Sequence, residues 1–259
     1  MKPPIPPLLF AILLFGGMLA LLEIGRRLGV RHQAEESESE RSNLGTVEAA
    51  VFALFGLVLA FTFSGAADRF NQKRALIAEE GNAIGTAYLR LQLLSEKVQP
   101  ELQELFRHYL DSRVETYRKL PNMQAAEIEM AKTKKIQREI WTKAIAATTL
   151  QGSHPDAGKL LLPALNSMID ITTTRNMALR THPPNIIFAL LFALGLICSL
   201  LAGYRMATSR RRSWLHMLSF ILITVIVIYV IVDVEYPRAG LIRLESFDQV
   251  MIDARADMN

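Results

Sequence analysis

Apolar residues gather in four runs along this chain, and the stretches between them are dense in charge. The first run extends from Ile5 to Ile24 and meets no charge before Glu23; the second extends from Val47 to Phe63 and is broken only by Glu48. The third covers Ile186 to Gly203 and the fourth Trp214 to Val232. A hydrocarbon core about 30 Å thick needs roughly 20 helical residues, with about 17 tolerated, so each run can cross a bilayer, the second only just. The short Arg-rich link from Tyr204 to Ser213 predicts that the third and fourth helices are antiparallel neighbours. The first run has only Lys2 ahead of it and no small-residue cleavage site behind it, ending in Glu23-Ile-Gly-Arg-Arg-Leu28, which predicts a retained helix rather than a signal peptide.

Roughly 120 residues separate the second run from the third, and their apolar periodicity is helical. No proline occurs from Glu48 to Gln99, which predicts that the second membrane helix continues out of the bilayer until Pro100 ends it. At 1.5 Å per residue such a helix is roughly 75 Å long, more than twice the hydrocarbon core. Gly65, Gly81 and Gly85 are candidate bends in it. The next helix is expected over Glu101–Leu120, with Leu102, Leu105, Phe106, Tyr109, Val114 and Tyr117 at helical spacing and Pro121 as its breaker. Another is expected from about Met123 to Leu150, followed by a loop over Gln151–Pro155. A further one opens at Asp156 and carries Leu161, Leu162, Leu165, Met168, Ile169 and Thr172, and His182-Pro183-Pro184 separates it from the third run. Arg31–Ser42 is polar and rich in acids, so a mobile loop is expected there. Ser246 with Gln249 is a candidate capping box for a short final helix.

The fold class that follows is all-α, a four-helix transmembrane protein with a helical soluble domain inserted between transmembrane helices 2 and 3. The expected divisions are 1–64 for the first two membrane helices and their polar loop, 65–184 for the soluble domain, 185–233 for the last two membrane helices, and 234–259 for a tail.

Composition agrees with this segregation. Hydrophobic residues make up 51% and charged residues 21% of the 259, and the mean hydropathy is +0.21. One cysteine, Cys198, excludes a disulfide framework and a Cys-rich metal site. The balance of 29 Lys+Arg against 25 Asp+Glu is too even to point to nucleic acid.

Four spans place both termini and the helical insert on one side and the two hairpin loops on the other. Basic residues near membrane ends favour the cytoplasm. They tie here: Arg26, Arg27, Arg31, Arg41, Arg205, Arg210, Arg211 and Arg212 flank the hairpins, and Lys2, Arg69, Lys73, Arg74, Arg175, Arg180, Arg238 and Arg243 the opposite side. The density of Arg210-Arg211-Arg212 leans towards cytoplasmic hairpins.

Catalytic signatures are missing: the sequence holds no H-E-x-x-H, no G-x-S-x-G and no Walker loop, and an enzyme is not expected. Gly81-Asn-Ala-Ile-Gly85 lies inside a helix rather than after a strand, so its small-residue spacing suits close packing and not a phosphate. His32, His108, His154, His182 and His216 are scattered singly, and neither a metal nor a cofactor is expected. Glu23, Glu48, Asp233 and Glu235 stand at the ends of runs, where the interface can solvate them. Gly195, Ser199 and Gly203 give the third run a stripe for close packing. On the second membrane helix Ala49, Ala53, Gly56, Ala60 and Ser64 share one face, and Phe52, Phe55, Leu59 and Phe63 another, roughly a quarter-turn away. The small residues suit helix packing. The large ones either fill the bundle or form a hydrophobic constriction that gates a pore by dewetting.

Three stretches taken together resemble the bacterial bestrophin-like family. They are Gly56-Leu-Val-Leu-Ala-Phe-Thr-Phe-Ser-Gly-Ala-Ala-Asp-Arg-Phe70; Lys73-Arg74 with Glu79 to Arg90; and Leu162 to Asp170 with Val232 to Ile242. The likeness extends over about residues 45 to 250, and Glu80-Gly-Asn-Ala-Ile-Gly-Thr-Ala-Tyr-Leu-Arg90 is its most specific part. Where the family commonly shows Glu-Ala-Asn-Ala this chain has Glu80-Gly81-Asn82-Ala83, and where it often shows Asp-x-Asp-x-Pro this chain has Asp233-Val-Glu235-Tyr-Pro237.

The resemblance implies remote kinship with bestrophins, pentameric ion channels with four membrane helices and a helical cytosolic domain between the second and third. It implies a multi-pass protein of the bacterial inner membrane whose partners are the bilayer, further copies of itself and inorganic ions. The pore would be lined by the second helix, with Phe52, Phe55, Leu59 and Phe63 as its neck. Structural or interface roles are implied for Arg74, Glu80, Asn82, Gly85, Thr86, Tyr88, Arg90, Asn166, Asp170, Asp233, Glu235, Pro237 and Gly240. The implied cytosolic insert opposes the lean of the charges. The alternative is a membrane-anchored helical scaffold or sensor without transport. An intramembrane enzyme would need convergent polar groups at membrane depth, and the runs show none.

Overall fold

The computed structural model describes residues 6–32, 38–120, 122–207, 213–237, 241–242 and 249–258, the side chains of 38–42 excepted. The regular structure among the described residues is helical: α1 Pro7–His32, α2 Glu38–Leu89, a short 3₁₀ turn Arg90–Leu93, α3 Gln99–Arg118, α4 Met123–Thr148, α5 Ala157–Arg180, α6 Asn185–Met206, α7 Trp214–Glu235 and α8 Gln249–Ala256. The four apolar runs lie on α1, α2, α6 and α7, each long and apolar enough to cross a membrane. The chain is an all-α membrane protein. It divides into two compact units, one of residues 69–181 with 242–259 and the other of residues 2–68 with 182–241.

In the first unit α3, α4 and α5 pack around the distal part of α2 and the 3₁₀ turn. Leu102, Phe106, Tyr109 and Tyr117 of α3 are buried at helical spacing, and on α5 Leu161, Leu165 and Met168 recur in the same way. Helix α4 starts where Asn122 accepts the Ala125 N–H at 3.2 Å, a side-chain cap for one of the helix's orphan donors. A polar layer crosses this core: Ser112 bonds Thr133 at 2.8 Å, and the Gln137 amide donates to Tyr109 and Thr172. Helix α8 adds Met251 to the same core and the turn after it adds Met258, and the Gln249 side chain donates to Asp253 at 2.8 Å. Ser246, the other half of the expected capping box, lies outside the described residues, as does Pro121.

Helix α2 differs from expectation at both ends. It starts at Glu38, inside the segment expected as a loop; residues 33–37 lie outside the described residues. It stops at Leu89 because the α4–α5 loop reaches back to it. His154 N–H donates to the Leu93 carbonyl at 2.8 Å, Ser95 N–H donates to Ser153 Oγ at 2.9 Å, and Arg90 donates to the Leu160 carbonyl at 2.5 Å. Gly152 turns that loop at φ +94, a left-handed conformation open to glycine. Pro100 therefore opens α3 instead of closing α2, in the first turn where its missing N–H has no intrahelical partner to lose. Gly65, Gly81 and Gly85 do not interrupt the helix.

In the second unit the close partner of α6 is α1, and α1 also packs on α7; the expected pairing of α6 with α7 is the weaker contact. Glycines decide this. A Cβ on Gly25 would meet the Leu200 carbonyl oxygen, and one on Gly29 the Tyr204 carbonyl oxygen at 2.6 Å. Without side chains at these positions the two backbones approach far closer than larger residues allow. Leu14, Met18 and Leu22 of α1, Leu191 and Cys198 of α6, and Ile221 and Ile228 of α7 form the buried interior. Residues 208–212, with the Arg210–Arg212 cluster, lie outside the described residues.

Candidate functional site

Helix α2 is the least covered of the apolar helices. In its most apolar stretch 6% of residues are buried within the chain, against 28% in α1, 33% in the stretch ending with α6 and 44% in α7. The large side chains expected at a neck divide. Phe55 is buried at 4% exposure in the interior with α6 and α7, Phe52 meets Phe220 edge to face at 5.9 Å, and Leu59 packs against the same cluster. Phe63 alone of the four is exposed, at 46%.

The uncovered side of α2 carries different residues. Exposed positions recur at Ala53, Leu57, Ala60, Ser64 and Asp68, and further along the helix at Asn71, Ala75, Ala78, Asn82, Thr86 and Leu89. These steps of three and four follow the helical period, so each row stays on one side. Gly56 and Gly85, beside the rows, have open space where a Cβ would stand. Asp68 closes the first row as its charged member, and the second row carries no charge.

Glu80 points the other way, into the core of the first unit, and is fully buried. Arg113 Nε donates to it at 2.5 Å, Arg175 donates to its other oxygen, and Arg113 also donates to the Tyr117 hydroxyl. The Arg175 guanidinium lies 3.7 Å from the centre of the Tyr117 ring, and that of Arg113 4.9 Å, a double cation–π contact. Glu80 stands well beyond the apolar run that ends at Phe63. Burial alone would raise its pKa, but the two guanidinium groups outweigh this and hold it below the usual 4.5. Burial pushes the Tyr109 hydroxyl up, leaving it a protonated hydrogen-bond donor and acceptor.

A second cluster forms at the end of α7. Asp233 and Glu235 are both 1% exposed. Both Asp233 oxygens accept the Leu241 N–H, at 3.0 and 3.1 Å, and the Tyr229 hydroxyl donates to the same carboxylate at 3.4 Å. His182 Nδ1 stands 3.0 Å from Glu235, and its ring stacks on Tyr236 at 4.5 Å. Its Nε2 is buried without a hydrogen-bond partner among the described residues. The carboxylates thus clip the exit of α7 to the chain that follows it and to the segment before α6. Pro237 is buried beside them, and Gly240 lies outside the described residues.

The other motif residues fall in two groups. Tyr88 donates to the Met258 carbonyl at 3.2 Å and meets Phe106 edge to face, and Arg90 ties the 3₁₀ turn to α5. Arg74, Asn82, Thr86, Asn166 and Asp170 are exposed, with Arg74 5.9 Å over the Phe70 ring. Residues that reading the sequence missed are Arg113, Tyr117, Arg175 and His182. The available signal was Arg113 and Tyr117 standing on the same helical face as Phe106 and Tyr109, since an arginine on an apolar face calls for a buried acid.

Residues 25–246 match the family model for the Bestrophin-like domain. No curated protein and no solved structure matches the chain.

Proposed function

This chain belongs to the bestrophin-like family, and on that premise we propose that it assembles with copies of itself, as a homopentamer, into an ion channel of the bacterial inner membrane whose conduit runs along α2. The observation that carries the reading is the uncovered side of α2, an apolar helix with 6% of its most apolar stretch buried within its own chain. One helix cannot enclose a path for ions; several copies of a small-residue face around an axis can. The residues on the conduit are then Ala53, Leu57, Ala60 and Ser64, with Leu57 the large apolar member and Phe63 at its edge. Phe52, Phe55 and Leu59 support the helix from behind. Asp68, next in the row, gathers into a ring of acids that favours cations. Kinship with bestrophins supports a cytosolic position for the helical unit and the termini.

Light scattering of the detergent-purified chain, with the detergent contribution subtracted, is expected to give a mass near five chains. A monomer or dimer would end the channel reading. In planar bilayers Leu57→Ser is expected to change conductance, and unaltered conductance in both Leu57→Ser and Phe63→Ala would remove this face from the conduit.

The inward position of Phe55 favours one rival, a membrane-anchored helical scaffold or sensor in which α2 joins copies without a water path. A five-chain assembly that passes no ions from liposomes would establish that alternative.

A further inference from the structure

We propose that the cleft between α2 and α5 in the first unit binds the phosphate of an anionic phospholipid headgroup. Arg69, Gln72 and Lys73 on α2 and Met177, Ala178 and Thr181 on α5 line a cavity of about 250 Å³ there. It has room for a phosphate and its first ester groups.

Depth is the first support. Arg69 follows Ser64 by five residues along one helix, a rise of about 7.5 Å. The hydrocarbon core is about 30 Å thick and the whole bilayer about 40–45 Å, which leaves a headgroup layer of about 5–8 Å on each side. Thr181 precedes Ile186, where the third apolar run begins, by a similar length of chain. The end of the cleft formed by Arg69 and Thr181 therefore falls at the level of lipid phosphates.

Charge and donor geometry are the second. Among the described residues the lining holds two cations and no acid. Lys73 is 5% exposed, a rare position for lysine, and it lines the cleft. A guanidinium has five N–H donors and an ammonium three, so each can hold a phosphate oxygen beside a partner it already has. The Thr181 hydroxyl is not such a donor, because it is given to the Met177 carbonyl at 2.9 Å. The phosphate donors are Arg69, Gln72 and Lys73. Ala178 leaves space for close approach, and Met177, 66% exposed, offers an apolar edge to the glycerol and acyl part of a lipid. A free inorganic phosphate has no use for that edge.

The proposal does not depend on ion conduction, so the two readings fail separately. Native mass spectrometry of the full chain in detergent, titrated with phosphatidylglycerol, phosphatidylcholine or inorganic phosphate, tests it. Phosphatidylglycerol is expected to stay bound where phosphatidylcholine does not. Arg69→Gln is expected to weaken retention about tenfold or more, the loss of one charge-assisted contact. Arg69→Lys keeps most of it, and Lys134→Gln, on the exposed side of α4, leaves it unchanged. Arg69 is the first variant because it is only half-buried and its loss does not open the core. Equal retention of the two lipids, or equal loss in Arg69→Gln and Lys134→Gln, would overturn the site. Displacement of the lipid by an equal concentration of inorganic phosphate would overturn the lipid assignment in favour of a soluble anion.

Discussion

Gly203 of α6 lies so close to Leu22 of α1 that a Cβ on the glycine would stand 2.0 Å from the leucine's carbonyl oxygen. The relation is returned where a Cβ on Gly25 would stand 2.0 Å from the Leu200 carbonyl oxygen. Both obstacles are backbone, which cannot swing aside as a flexible side chain can. Lipid tails are as apolar as leucine, so close packing and not exclusion of water holds such helices together.

Gly25→Ala and Gly203→Ala are each expected to force α1 from α6 and to destabilise the second unit by about 1–3 kcal/mol or more, as overpacking does. Gly16→Ala, with open space around its Cβ, is expected to be neutral or slightly stabilising, because glycine inside a helix costs about 1 kcal/mol relative to alanine. Thermal unfolding in detergent compares the three; similar melting temperatures for Gly16→Ala and Gly203→Ala would refute the close crossing.

Glu80 holds two buried guanidinium groups. Glu80→Gln keeps the shape and removes the charge, leaving Arg113 and Arg175 without it, and breaking a buried pair in this way costs about 3–5 kcal/mol. The pH dependence has a definite sign. The Glu80 carboxyl is held below 4.5 in the folded chain, so as pH falls the unfolded chain takes up the proton first. The stability Glu80 contributes is complete above that value and is lost as pH drops below it through the folded value. Denaturant midpoints at neutral and acid pH are expected to fall more for the wild type than for Glu80→Gln. Equal falls would mean that this carboxylate is not the titrating group.

Much of this fold is legible in the order of residues. Helix α4 runs Met123–Thr148 against an expected Met123–Leu150, because Asn122 marks its start and its periodicity is local. The end of α2 was not legible, since it depends on Ser153 and His154 returning from far along the chain to bond Leu93 and Ser95. The same distance hid the Glu80 cluster: Arg113 and Arg175 are 33 and 95 residues away from Glu80. Periodicity does show that Phe52, Phe55 and Leu59 share a face. It does not say which neighbour the face meets, and Phe55 turns towards Gly195 of α6, its ring 3.8 Å from where a Cβ would be.

Helix α8 packs into the core of the first unit. Met251 and Met258 are 0% and 3% exposed, Arg107 donates to the Met258 carbonyl at 2.9 Å, and Arg255 pairs with Asp111 at 2.9 Å. Truncation before Gln249 is expected to expose α3 and speed its amide hydrogen exchange, while the second unit keeps its protection. Met251→Ala is expected to cost about 2–5 kcal/mol by leaving a cavity. Unchanged exchange in α3 after truncation would mean that α8 contributes no stability there.

Asp68 gives the proposed channel its ion preference. It is the charged residue in the exposed row Ala53, Leu57, Ala60, Ser64 and Asp68 of α2, one turn beyond Ser64. Arg69, its neighbour in sequence, lies instead on the cleft with α5, a different side of the helix. Copies arranged around an axis bring their Asp68 carboxylates together, and a ring of carboxylates attracts cations and repels anions at close range. Under a potassium chloride gradient the wild type is expected to reverse near the potassium potential, and Asp68→Asn closer to zero. Arg69→Gln is expected to reverse as the wild type does. An anion-preferring wild type would overturn the sign, and an unchanged reversal potential in Asp68→Asn would place selectivity elsewhere on the conduit.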